Sequence, residues 1–478
     1  MESRAKIFDH SFATRIRECQ LPEKLNQLTP DAAGLRPDEL VDLFETQLMS
    51  RHLDLHSREL SARGESFYTI GSAGHEGNAV IGKASRWDDM AFLHYRSGAL
   101  LIQRSKQVSG ETPLYDLLLS FAASSEDPIS GGRHKVLGSK TLFIPPQTST
   151  IASHLPKAVG AAYSIPLAHR IKHAGTLADD SVVICSFGDA SVNHSTAQGA
   201  FNVAAWIAYQ KIPLPLVFVC EDNGIGISTR TPEGWVAANF AHKPGLKYVY
   251  CDGLDLLDTW EKTQLALRYA RQYHQPVFLH MRTLRLFGHA GSDTEIAYRS
   301  RSELEAEEAQ DPLLHSARLL LESGILDAEQ IVGLYDEIKE RVTNIAAVAI
   351  ARPKLTSIEQ VKASLAPQRA ASTIPHRSEE ERAQLFRQEQ PVLDKPQPMA
   401  RLINWALADL MAELPNVFIA GEDVCEKGGV YGVTRGLHEK FGKYRLINTP
   451  LDEQSILGLG IGAAHNGFLP ILEIQLLA

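Results

Sequence analysis

Two stretches decide the fold: Val182-Val183-Ile184-Cys185-Ser186-Phe187-Gly188-Asp189-Ala190-Ser191 and Leu216-Val217-Phe218-Val219-Cys220-Glu221-Asp222-Asn223-Gly224-Ile225-Gly226. Each is a short apolar run of strand length that ends in a polar, glycine-bearing turn. Between them, Ala197, Ala200, Val203, Ala204 and Ile207 recur at helical spacing over residues 195–210. The pattern is strand, helix, strand, so the two strands lie parallel and the crossover is right-handed. Both polar turns then emerge at one carboxyl edge of a sheet, where open α/β sheets bind ligands. One carboxylate, Asp189, one amide oxygen, Asn223, and a nearby backbone carbonyl suit a hard cation. Magnesium is held by one or two carboxylates with phosphate oxygens and water completing its octahedron. A cap for the following helix is the competing reading of Asp189. The pairing of Gly-Asp after one strand with Asp-Asn-Gly after the next favours a metal-bridged diphosphate.

The same alternation extends outward. Helical patterns near 37–63, 153–174 and 256–272 and strand patterns at 182–187, 216–220, 247–251 and 277–281 predict a doubly wound α/β domain. We place it in residues 1–365, with helical N- and C-terminal extensions. Residues 366–398, rich in Gln, Arg, Glu, Ser and Pro, read as a linker. A second unit, 399–478, opens with a helical pattern over 399–413, strands at 417–420 and 445–448, and a small-residue helix over 455–466. It ends in the apolar run 469–478. About eighty residues with three short strands are few for an α/β domain, so the expectation is an incomplete second domain.

Composition narrows the partners. The 478 residues carry a formal charge of -9, which leaves no basic footprint for nucleic acid. No apolar run reaches membrane-span length. The N-terminal thirty residues hold Glu2, Asp9, Glu18 and Glu23 and lack a signal-peptide apolar block. Five widely spaced cysteines read as reduced thiols. The expected compartment is the cytoplasm. Gly458-Leu459-Gly460-Ile461-Gly462-Ala463 fits a dinucleotide fingerprint, but no strand precedes it. A close helix-packing face explains it better.

Residues 40–330 resemble the α subunit of thiamine-diphosphate-dependent 2-oxoacid dehydrogenases, the decarboxylating first component of those complexes. The resemblance runs through Gly74-His75-Glu76-Gly77, His94-Tyr95-Arg96, Leu155 to Tyr163, Gly188-Asp189-Ala190, Asn223-Gly224-Ile225 and Gly288-His289-Ala290-Gly291-Ser292-Asp293. Residues 399–476 resemble the start of the β subunit, through Ala420-Gly421-Glu422-Asp423-Val424, Asn448 to Gln454 and Ile471 to Gln475. The resemblance implies a thiamine-diphosphate-binding fold followed by a pyrimidine-binding domain. It also implies thiamine diphosphate and magnesium as cofactors.

By resemblance, Asp189, Asn223 and the Ile225 carbonyl bind magnesium, and Gly188, Ala190, Tyr95, Arg96 and His289 surround the diphosphate. Ser149 and Ile151 contact the aminopyrimidine, and His289 also reaches the reacting centre. Glu453 matches the glutamate that shares a proton with the pyrimidine nitrogen and so activates the cofactor, a task best served by a partly desolvated pocket.

The implied reaction is oxidative decarboxylation of a 2-oxoacid, with transfer of the acyl group to the lipoyl group of an acyltransferase partner. Ser66-Phe67-Tyr68 and the Gly-His-Glu-Gly turn favour branched-chain substrates such as 3-methyl-2-oxobutanoate over pyruvate or acetoin. The assembly implied is a homodimer or an α/β-type oligomer, with the site between subunits. The family's β subunit carries a catalytic histidine downstream of the matched region, so a non-catalytic chain that binds only cofactor or partner subunits stays open. Thr148, Thr150, Ser153 and His154 match a monovalent-ion site only in part, and none is expected.

Overall fold

The computed structural model describes residues 4–66, 70–147, 150–291, 293–366, 377–442 and 444–476. Its larger sheet has five parallel strands in the order β1-β2-β3-β7-β6: β1 (Ala91–Phe92), β2 (Val183–Gly188), β3 (Leu216–Asp222), β6 (Lys247–Asp252) and β7 (Val277–Arg282). A small antiparallel ribbon, β4 (Ile225–Gly226) with β5 (Thr229–Arg230), follows β3. All six residues of β2 are buried. That explains an apolar run without alternation, because helices cover both faces of a parallel sheet. Ile184, Val217, Val219, Leu279 and Met281 face one core, lined by α2 (Pro37–Ala62), α5 (Leu256–Tyr273) and α6 (Ala328–Ile350). Val183, Cys185, Phe187, Phe218 and Phe278 face the other, against α3 (Leu155–Ile171) and α4 (Ser195–Tyr209). The expected doubly wound arrangement is present. An N-terminal helix, α1 (Arg4–Arg17), buries Phe8, Phe12 and Ile16.

Local chemistry sets the helix starts. Pro37 stands in the first turn of α2 with Asp38 and Glu39, where a missing N–H costs nothing and acidic groups face the positive helix end. Asp255 caps α5 by accepting from the Leu257 and Asp258 amides. α3 begins at Leu155, two residues later than the sequence pattern suggests, because residues 151–154 form a turn at the cleft.

The second sheet has three parallel strands in the order β10-β8-β9: β8 (Val417–Gly421), β9 (Leu446–Asn448) and β10 (Leu469–Leu472). One face packs on α7 (Met399–Glu413) through Trp405, Ala408 and Met411. Phe386, inside the stretch read as a linker, is fully buried in the same cluster, so that stretch is in part packed structure. The other face, Phe418 and Ala420, meets α8 (Glu453–His465) and the end of α3 at Leu167 and Ala168.

Helices α3 and α8 thus lie between the two sheets, and glycines bring them close. A Cβ on Gly462 would fall 2.0 Å from the Lys157 carbonyl oxygen, and one on Gly160 2.4 Å from that of Leu459. Only glycine fits at such backbone contacts. Buried Asn466 pins the junction, donating to Ser164 Oγ at 3.0 Å and accepting from the Leu177 amide at 2.7 Å. Among the described residues no helix is long and apolar enough to cross a membrane.

Candidate functional site

A cleft of about 270 Å³ opens at the carboxyl ends of β2 and β3. Gly188 ends β2, and Asp189 and Ala190 open the 3-10 turn that follows. Asn223 lies in the turn after β3, which Gly224 reverses with a φ of 73°. These residues, with Ile225, line one side. Tyr95 and Arg96, from the loop after β1, line the other with His289 and Ile151. Nine of the residues expected at the site therefore share one cleft. Ser149 lies outside the described residues.

The charges in the cleft lack the partners that burial normally demands. Arg96 is 3% exposed, yet among the described residues its guanidinium meets no carboxylate. It donates to the Gly71 carbonyl at 2.6 Å, the His289 carbonyl at 3.1 Å and His289 Nδ1 at 3.3 Å. Burial lowers its pKa, with Tyr95 opposing. Asp189 is 1% exposed and meets no cation among the described residues. Its carboxylate accepts from the Thr231 hydroxyl, and burial raises its pKa. A buried cation and a buried anion without counter-ions, in one cleft, fit a diphosphate bridged by a divalent metal. The donor set of carboxylate, amide oxygen and backbone carbonyl suits magnesium.

His289 is held between these groups. Its amide donates to Asp293 Oδ2 at 2.6 Å, and the same oxygen accepts from Tyr298 Oη at 2.6 Å. A guanidinium can only donate, so Nδ1 is the acceptor and Nε2 carries the ring hydrogen. Burial, with Arg96 and Arg285 adding positive charge, pushes its pKa down to about 4, so the ring is neutral near pH 7. It can donate to a phosphate or hold a proton without carrying charge of its own.

Glu453 is elsewhere. It is the first residue of α8, exposed to solvent, and outside the cleft. It lies close enough to Glu422, at the carboxyl end of β8, that its charge helps burial raise the Glu422 carboxyl. Among the described residues Glu453 is exposed and lines no part of the cleft, so the partly desolvated pocket expected around it is not formed.

The sequence reading missed several cleft residues: Ile70, His94, Ser191, Gly226 and Ile227. His94 was available from the His94-Tyr95-Arg96 motif. Ile227 carries no such signal. It is β-branched yet has a φ of 56°, a left-handed conformation that costs about 1–3 kcal/mol and gathers at functional sites.

A parallel α/β sheet with an unpaired cation and anion at its carboxyl edge is joined to a second, small parallel sheet, an architecture that fits a cofactor-dependent α/β enzyme. Residues 44–358 match the dehydrogenase E1 component family, and residues 395–478 match the transketolase pyrimidine-binding domain family. The chain belongs to the dehydrogenase E1 component family, whose members are oxidoreductases that depend on thiamine diphosphate, with magnesium as the usual partner ion.

Among its relatives, the 2-oxoisovalerate dehydrogenase subunit alpha of Bacillus subtilis (strain 168) is 30% identical over 316 residues, 64% of this chain and 89% of that protein. The mitochondrial 2-oxoisovalerate dehydrogenase subunit alpha of Mus musculus is 28% identical over 303 residues, 62% of this chain and 64% of that one. The human testis-specific pyruvate dehydrogenase E1 component subunit alpha is 30% identical over 184 residues, 37% of this chain and 45% of its own length. E1 components of 2-oxoacid dehydrogenase complexes work with lipoylated acyltransferase partners and oligomerise.

Proposed function

We propose that this chain is the first component of a 2-oxoacid dehydrogenase acting on branched-chain substrates such as 3-methyl-2-oxobutanoate, and that it passes the acyl group to a lipoylated acyltransferase. The observation that carries the reading is the pair of buried, unpaired charges, Arg96 and Asp189, in one cleft. Asp189, Asn223 and the Ile225 carbonyl hold magnesium. Arg96, Tyr95 and the Nε2–H of His289 take the phosphate oxygens, and Gly188 and Ala190 let the backbone come near. Ser149 and Ile151 border the pyrimidine. Bound thiamine diphosphate supplies the electron sink for decarboxylation.

Glu453, exposed on the second sheet, serves a cofactor bound in the cleft of another subunit, which makes the working unit an oligomer. The chain divides into a diphosphate domain, 1–365, a linker, 366–398, and a pyrimidine domain, 399–478. The cytoplasm is the compartment that four buried, free thiols favour. The α subunits of 2-oxoisovalerate dehydrogenases among the relatives, matched over more of the chain than the pyruvate enzyme, support the branched-chain preference.

Intrinsic fluorescence titrated with thiamine diphosphate, with and without magnesium, tests the site, and 2-oxoacid decarboxylation with an artificial electron acceptor tests the reaction. Magnesium-dependent binding lost in Asp189→Ala and Asn223→Ala is expected. Binding that ignores both substitutions in a folded chain overturns the site, and a preference for pyruvate overturns the substrate. The exposure of Glu453 supports one second reading, a chain that binds cofactor without turning substrate over. Binding without turnover, in the presence of candidate partner subunits, selects it.

A further inference from the structure

Beneath the cleft, a line of side chains runs from the sheet to the metal turn. Glu221, on β3, and His75, in the Gly74-His75-Glu76-Gly77 turn, are both 0% exposed. His75 Nδ1 lies 2.7 Å from Glu221 Oε2, and His75 Nε2 lies 3.1 Å from Asn223 Nδ2. Glu221 accepts two further hydrogen bonds, one on each oxygen. Asn78 Nδ2 donates to Oε2 at 3.2 Å and Ser97 Oγ to Oε1 at 3.1 Å.

Donor and acceptor logic then runs one way along the line. A carboxylate only accepts, so His75 Nδ1 carries the hydrogen. With Nδ1–H given to Glu221 and the Asn223 NH₂ facing the second nitrogen at 3.1 Å, Nε2 is the acceptor. An acceptor at that point holds the NH₂ end of the Asn223 amide. The oxygen must therefore occupy the opposite end, where Oδ1 accepts from the Ile225 amide at 3.2 Å and keeps a second lone pair. The two ends of an asparagine amide have nearly the same shape, so a network of this kind decides which one a ligand meets.

We propose that His75 and Glu221 are positioning residues for the divalent cation: the buried carboxylate fixes the imidazole tautomer, and the imidazole holds Asn223 with its oxygen free for the metal. The inference rests on the reading of Asp189 and Asn223 as metal ligands. Partners outside the ligand sphere that fix ligand orientation are worth about 10–100-fold in metal affinity.

The same histidine and glutamate, with His94, also form a buried group whose ligand atoms lie within 4.8 Å of one another. A transition metal there is the competing reading. The hydrogen bonds favour the line, because both oxygens of Glu221 and both nitrogens of His75 already have partners.

The test uses the full chain, thiamine diphosphate, and magnesium chloride titrated against intrinsic fluorescence. His75→Phe fills the space but can neither donate nor accept. It is expected to raise the magnesium concentration for half-maximal cofactor binding about 10–100-fold. His75→Gln, which offers one acceptor and a donor, is expected to restore most of it at a similar melting temperature. Asn223→Ala abolishes magnesium-dependent binding if the site itself is right.

Wild-type magnesium dependence in a folded His75→Phe chain, with binding lost in Asn223→Ala, overturns the positioning role and leaves the site standing. Unchanged binding in both overturns the two together. Zinc binding that His75→Phe and His94→Phe both remove, with magnesium dependence unaltered, selects the transition-metal reading and also overturns the proposal. Should the phenylalanine variant not fold, long-range proton-nitrogen NMR of the wild-type histidines decides: hydrogen on Nδ1 of His75 is expected, and hydrogen on Nε2 overturns it.

Discussion

Replacing Arg51 with methionine is expected to cost the fold about 3–5 kcal/mol, the range for removing one partner of a buried ion pair. Arg51 lies midway along α2 with its side chain 1% exposed. Its Nε meets Glu76 Oε1 at 2.7 Å, and its two terminal nitrogens meet the two oxygens of Asp311 at 2.8 Å each. Both carboxylates are as deeply buried, at 0% and 2%. Glu76 also accepts from the Gly74 amide at 2.7 Å, so the triad fixes the turn that carries His75. Methionine replaces the apolar stem and leaves two buried anions uncompensated.

Burial already raises the Glu76 carboxyl above its usual range, with Arg51 opposing. Without that opposition Glu76 takes up a proton more readily in the folded chain than in the unfolded one. The variant's folded state then binds more protons, so its stability is fullest at low pH and is lost as pH rises through the raised value. Thermal unfolding at pH 5 and pH 8 checks both points. At ~2 °C per kcal/mol for a large domain, the melting temperature drops by about 6–10 °C. The deficit is larger at pH 8. A deficit below about 1 kcal/mol, or one equal at the two pH values, would refute the reasoning.

Gly462→Ala sets a methyl carbon 2.0 Å from the Lys157 carbonyl oxygen and 2.4 Å from the Ala161 nitrogen, so α3 and α8 must part. The expected cost is about 1–3 kcal/mol, with faster proteolysis within residues 366–398, and unchanged cleavage speaks against the helix contact as the joint between the sheets. His154, which donates to the Ser186 carbonyl at 2.9 Å, is pushed down to about 4 by burial. The unfolded chain takes up this proton near pH 6.5 and the folded chain only near 4, so stability falls as pH drops through that window. His154→Gln should flatten the melting-temperature profile between pH 6.5 and pH 4, and an unaltered slope counts against it.

The strands were legible where burial on both faces leaves a mark that composition can carry. Residues 182–187 and 216–220 read as strands and form Val183–Gly188 and Leu216–Asp222. The glycine and alanine face at 458–464 was legible for a similar reason, since only close packing explains so many small residues on a helix. β1 was not, because two residues have no period to detect. Phe386 was not, because one apolar residue among charged ones reads as a connector until a core closes over it. Contacts across long sequence separations were invisible as well. Arg51 meets Asp311 across 260 positions and His75 meets Glu221 across 146, and nothing local to either partner announces the other.

The site was legible in the same uneven way. Asp189 and Asn223 stand at strand ends that one helix joins, so their meeting follows from topology alone. Arg96 gives no such guarantee, since an arginine in a loop is more often a solvated ion-pair residue. What sets it apart is its place: Arg51 is matched by carboxylates, buried Arg104 and Arg285 meet a carbonyl and a phenol, and of these arginines only Arg96 lines the cleft that holds Asp189, where it meets carbonyl oxygens and a neutral imidazole. A cation and an anion left without partners in one cleft suit a ligand of both signs between them. The candidate site is therefore read from what the folded chain leaves uncompensated, and that shortfall suits the metal diphosphate we propose for it.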